Sequence, residues 1–128
     1  MPEFDLFNQG VDDMFGKAAK YETLILDLRG NPGGSVETLS RMVGYLFDHD
    51  VKIAELKGRK DSKPMMAKPH SHGFSGKLIV LIDSQSASAA EVLARLVQLE
   101  KRGTVLGDRS AGAVMQAERF SLNWARTR

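Results

Sequence analysis

Residues 84–91 read SQSASAAE, between an apolar run KLIVLID and a helix-like stretch VLARLVQLEKRG. A serine hydroxyl at the start of a helix, just after a buried strand, has the means to act as a nucleophile. The positive helix end favours an alkoxide or an oxyanion. The carboxyl edge of an α/β sheet is where such sites lie. Ser88 stands at that start, and the alanines beside it leave room for a substrate backbone. The same residues also read as a cap alone. In Ser88-Ala89-Ala90-Glu91 the serine accepts from the amide of Glu91 and the glutamate reaches back to the amide of Ser88, which is a capping box. The local pattern by itself favours the cap, and it is not the G-x-S-x-G elbow of α/β-hydrolases.

A second stretch, LDLRGNPGGS at residues 26–35, passes from strand to helix through two adjacent glycines. Gly33 and Gly34 permit positive φ and close backbone approach, and bare amides at a helix start make an anion or oxyanion site. The plain alternative is a turn ahead of a capped helix. A phosphate loop is excluded, because neither G-K-[ST] nor G-x-G-x-x-G is present. The histidines carry less. His49 lies between two aspartates in a turn, and His70 and His72 form an H-x-H pair in a long loop with no third ligand in sight, so no metal site is expected. No cofactor motif is present.

Four segments with clear periodicity, and the short runs between them, position these residues. Val11, Met14, Phe15 and Ala18 make residues 8–20 an amphipathic helix despite Gly10 and Gly16. Residues 23–28 read as a buried strand. Ser35 caps a helix over 36–47 with Leu39, Met42, Val43 and Leu46 inward. Residues 51–56 alternate as a half-exposed strand does, and 57–76 read as a long surface loop. Residues 77–83 form a second buried strand, and a helix runs from Ala89 to about Lys101 with Val92, Leu93, Leu96 and Val97 inward. Gly103 is placed to cap it, 104–107 form a third strand, and 118–122 one more. This order of strands and helices predicts an α/β domain with a mostly parallel sheet.

The 128 residues fit one domain, 1–128, with one core. With 18 basic and 16 acidic side chains the formal net charge is +2, so no nucleic-acid partner is expected. The basic stretch 52–68 is interrupted by Glu55 and Asp61 and reads as a solvated surface. There is no cysteine, which excludes disulfides, thiolate metal sites and a cysteine nucleophile. The N-terminal segment is neither a signal peptide nor a membrane span, so no membrane insertion is expected.

Taken in order, the segments LILDLRGNPGGSVETLSRMVGYLF, KLIVLIDSQSASAAEVLARLVQ and GTVLGDRSAGA resemble the C-terminal processing peptidases, also called tail-specific proteases, and their tricorn-core and retinoid-binding-protein relatives. Each motif alone is modest, but the ordered set, from about Thr23 to about Ala113, is specific. The resemblance implies a Clp protease/crotonase-like fold of strand–strand–helix units and a serine endopeptidase acting through an acyl-enzyme on a polypeptide substrate. It implies Ser88, not Ser84 or Ser86, as the catalytic nucleophile. The oxyanion hole would come from backbone amides of Gly33 or Gly34 and of Ala89. The sequence departs from the tail-specific branch at one position that matters. Alanine stands at Ala113 where that branch has its lysine base, and Gln116 is only a shifted counterpart of the supporting glutamine.

The chain therefore resembles the core fragment of a tricorn-like branch, with its base supplied from outside and no PDZ domain preceding it. Both termini look truncated. On that expectation the fragment alone is inactive or weakly active, the family is often extracytoplasmic (periplasmic or secreted), and the compartment of this chain and its oligomerisation stay open. Two other readings remain: a non-catalytic module that binds peptides or hydrophobic ligands on the same fold, and a crotonase-like acyl-CoA enzyme, which the ordered motifs disfavour.

Overall fold

A computed structural model describes residues 1, 4, 8–55 and 63–114. Helix α1 spans Asn8–Ala18 and buries Val11, Phe15 and Ala18, with Met14 partly covered. It stops two residues short of the expected end, where Lys20 and Tyr21 donate to the carbonyls of Lys17 and Ala18 in tighter three-residue turns. Helix α2, Val36–Leu46, buries the face expected of it, and the Thr38 N–H donates to Ser35 Oγ at 3.3 Å. The two helices pack together, and Arg41 grips Asp12 with two bonds of 2.8 Å. Arg41 and then the Tyr45 hydroxyl hold the Asp12 carboxyl down, from 3.8 to about 2.

Strands β1 (Thr23–Asp27), β4 (Lys77–Ile82) and β5 (Thr104–Gly107) form a parallel sheet in the order β1-β4-β5. The α/β class and the parallel sheet are thus as expected. Leu28 continues the β1 ladder by one bond, donating to the Leu81 carbonyl at 2.8 Å. Helix α3, Ala89–Leu99, connects β4 to β5 and buries Leu93, Leu96 and Val97, while Val92 is only partly covered.

The strands are not buried on both faces, as their apolar runs suggested. The chain moves from β1 to β4 and from β4 to β5 in the same direction across the sheet. Right-handed connections then fall on one side. Leu26, Leu78 and Val80 face that side and are buried, whereas Ile25 and Leu106 on the other face are 59% and 50% exposed. Parallel sheets usually carry a layer on each face, and among the described residues only one such layer is present.

Two further expectations are corrected. The loop expected over 57–76 contains a strand, β3 (Met65–Ala67), which pairs antiparallel with β2 (Val51–Ala54) through an irregular register. Three residues, two of them methionine, carry neither alternation nor β-branching, so the sequence gives no strand signal there. Gly103 does not cap α3. Lys101 takes the left-handed position at φ 52, Lys101 N–H donates to Gln98 O at 3.2 Å and Arg102 N–H to Val97 O at 3.0 Å, a Schellman ending. Gly103 serves a different need, because a Cβ there would stand 2.4 Å from the Leu78 carbonyl oxygen. The Arg102 guanidinium turns back onto the carbonyls of Leu46, Phe74 and Gly76, tying the helix end to the preceding loops. The strand expected over 118–122 lies outside the described residues.

Candidate active site

All three loops that leave the carboxyl ends of the parallel strands meet at one edge. After β1, Asn31 is fully buried and works as a clasp. Its Oδ1 accepts from the Gly33 N–H at 2.8 Å, its Nδ2 donates to the Met1 carbonyl at 3.0 Å, and its own carbonyl accepts from the Ala87 N–H at 2.9 Å. Asp83, at the end of β4, turns out of the strand and accepts from the Gly30 N–H at 2.9 Å and the Gln85 N–H at 3.0 Å. Those backbone bonds, Gly30's first, hold its pKa below the ordinary aspartate value. Residue 4 supports the turn from behind: its N–H donates to Gly33 O at 2.7 Å, and its carbonyl accepts from the Ser35 N–H at 2.8 Å.

The serines in SQSASAAE have different surroundings. Ser84 is exposed. Ser86 is buried, and its hydroxyl donates to the Leu28 carbonyl at 2.7 Å while accepting from the Asp83 N–H at 3.0 Å, which stitches β1 to the β4 turn. Ser88 is half-buried at the start of α3 with φ 52 and ψ −120. An N-cap residue ordinarily has extended backbone. A non-glycine residue at positive φ of this kind is strained by roughly 1–3 kcal/mol, and such strain clusters at functional sites. The G-x-S-x-G sequence is absent, yet Ser88 sits on a strained strand-to-helix turn as the serine of that motif does. The Ser88 N–H donates to Glu91 Oε2 at 2.9 Å, as the capping pattern required.

The glycine turn and the serine turn touch. A Cβ on Gly33 would lie 2.8 Å from Ser88 Cβ and 2.9 Å from both Ala87 O and Ala89 N, so only glycine lets the two loops approach this closely. Gly33 has φ 95, which also favours glycine. Its N–H is committed to Asn31. Among the described residues no hydrogen bond engages the N–H of Gly34, and the Ala89 N–H is one of the first-turn donors that a helix leaves without an internal partner.

The third loop, after β5, closes over the same place. Ala111 N–H donates to Ser86 O at 2.9 Å, and the Ser88 N–H also reaches Ala113 O at 3.1 Å. Residue 113 thus stands beside Ser88, and it is an alanine without a titratable group. The described histidines are elsewhere. His70 stacks on Tyr45 at 4.2 Å near the far end of α2, and His49 pairs with Asp48. Beside the loop, an apolar groove of about 400 Å³ runs between α3 and β2, lined by Ile53, Val92, Leu96, Leu99 and Val114.

The sequence alone does not point to the roles of Asn31 and Phe4 in this edge. An asparagine ahead of Pro-Gly-Gly is a signal for local turn bonding, though not for reaching Ala87. Nothing in the sequence pointed to Phe4.

The parallel α/β core thus gathers a glycine-rich turn and a helix-start serine at its carboxyl edge, where α/β sites lie. The chain belongs to peptidase family S41, whose model matches residues 1–126. It is 30% identical over 102 residues to the carboxy-terminal processing protease CtpA of Bacillus subtilis (strain 168), covering 80% of this chain and 22% of that protein. It is 36% identical over 95 residues to the carboxy-terminal-processing protease of Bartonella bacilliformis, covering 73% of this chain and again 22% of the relative. The solved structure of a photosystem II D1 C-terminal processing protease superimposes with a TM-score of 0.74 at 25% identity, over 88% of this chain and 30% of that one. The chain therefore spans less than a quarter of the length of these two sequence relatives. Among the described residues no helix is long and apolar enough to cross a membrane.

Proposed function

We propose that this chain is the catalytic core segment of a serine endopeptidase, with Ser88 as its nucleophile. Ser88 Oγ attacks the scissile carbonyl of a polypeptide and passes its proton to a base. The amides of Gly34 and Ala89 receive the oxyanion, each donor contributing roughly 3–4 kcal/mol where such donors have been removed. Gly33, also expected to donate, instead packs its backbone against Ser88, since its own N–H is held by Asn31. The base returns the serine proton to the leaving amine as the C–N bond breaks, and water then attacks the acyl-enzyme and frees the serine.

The observation that carries this reading is the contact between the two motifs, which sets Gly33 against the Ser88–Ala89 peptide. The base comes from a segment beyond this chain, as in the tricorn-like branch, because residue 113 is alanine. On the family resemblance, the site of action is extracytoplasmic.

The alanine at 113 also favours a second reading, a module that binds peptides without cleaving them. A serine-directed fluorophosphonate separates the two. The full-length protein is expected to be labelled at Ser88, located by peptide mass spectrometry, and the 128-residue chain much more slowly. Full-length protein that stays unlabelled would leave binding only, and rapid peptide turnover by the 128-residue chain would remove the need for an external base.

A further inference from the structure

We propose that Glu91 is a positioning residue that ties the loop after β5 to the backbone of the nucleophile, and so fixes where residue 113 stands beside Ser88. This rests on the assignment of Ser88 above.

A capping box asks one thing of its glutamate, a bond to the N-cap amide. Glu91 does more. Oε2 accepts from the N–H of Ser88 at 2.9 Å and from the N–H of Ala113 at 2.9 Å, while Oε1 accepts from the N–H of Gly112. A carboxylate has lone pairs enough for all of these donors, and the residue is 8% exposed. Burial pushes the Glu91 pKa up, but bonds from Ser110, Gly112, Ala113 and Ser88 outweigh it and hold the group below the ordinary glutamate value.

The carboxylate thus joins two segments far apart in sequence at one point, and that point is the amide of Ser88. The loop has few other fixings among the described residues: Asp108 N–H to Ile82 O at its start, Ala111 N–H to Ser86 O and the Ser88 N–H to Ala113 O. Val114, one residue further on, lines the apolar groove together with Val92 and Leu96 of α3. The tether therefore sets the place of residue 113 and, through it, of the groove-lining Val114.

Amide hydrogen exchange and fluorophosphonate labelling of the full-length protein test this with Glu91→Ala and the near-isosteric Glu91→Gln. Charge-assisted bonds of this kind are each strong enough for about tenfold in an opening equilibrium. Protection at Gly112 and Ala113 is expected to fall by at least about tenfold in Glu91→Ala and by less in Glu91→Gln, which keeps one acceptor oxygen. Protection at Val97, deep in α3, is expected to hold in Glu91→Gln. The labelling rate of Ser88 is expected to fall in the same order.

Unchanged exchange at 112 and 113 would overturn the proposal. So would equal loss along the whole of α3 in Glu91→Gln, or a labelling rate that ignores release of the loop. Wild-type protein that never labels would instead count against Ser88 as nucleophile, while the exchange data would still decide whether the tether exists.

Discussion

Replacing Ser88 by alanine in the full-length protein is expected to lower peptide cleavage by roughly 10⁴–10⁶-fold, the scale seen when a serine nucleophile is removed. The melting temperature is expected to hold. Alanine occupies the same backbone with the same strain, Ser88 is half-buried, and the bonds of its N–H to Glu91 and to the Ala113 carbonyl are kept. Ser86 differs, since its hydroxyl bridges Leu28 and Asp83 inside the core. Cleavage assays and thermal melts on the same preparation make the check. Activity that survives Ser88→Ala would remove it from the chemistry.

The second large effect is expected at Gly33. An alanine there must adopt φ near 95 and place its Cβ 2.8 Å from Ser88 Cβ and 2.9 Å from Ala87 O and Ala89 N. Those neighbours are backbone or the first atom of a side chain, so no rotamer change relieves the contact. Strain of about 1–3 kcal/mol is expected. At roughly 2–8 °C per kcal/mol, the span for domains shorter and longer than this one, that lowers the melting temperature clearly. The loops would also separate, and cleavage with them, because the Ala89 amide is one of the atoms displaced. Loss of both stability and activity in Gly33→Ala, against loss of activity alone in Ser88→Ala, would mark Gly33 as the residue that builds the site and Ser88 as the one that reacts. A Gly33→Ala protein as stable and as active as wild type would show that the close approach is unimportant.

Much of this fold is visible in local pattern. The inward faces of α1 and α2 follow from spacing, and Ser35 caps α2 as its type and place suggest. The parallel sheet follows from the alternation of apolar runs and helices. What the local pattern hides is set by long-range contact. Strand β3 exists because β2 offers it a partner, and the left-handed turn at Lys101 is followed by Arg102, which bonds to the carbonyls of Leu46, Phe74 and Gly76. The exposure of Ile25 and Leu106 depends on which side the connections take, which a single strand cannot encode.

The site shows the same division. The two amide-rich helix starts are legible separately, but their contact is not, since residues far apart in sequence are brought together by the sheet and by bonds between its loops. Glu91 is legible as a cap. Its bonds to Gly112 and Ala113 come from a loop some twenty residues on.

The most direct measurement is the crystal structure of the full-length protein after reaction with a fluorophosphonate. The adduct is expected on Ser88 Oγ, with the phosphoryl oxygen about 2.7–3.1 Å from the amide nitrogens of Gly34 and Ala89, the range that oxyanion donors require. A phosphoryl oxygen turned to solvent, or an adduct on any other serine, would contradict the assignment of this edge as the catalytic site.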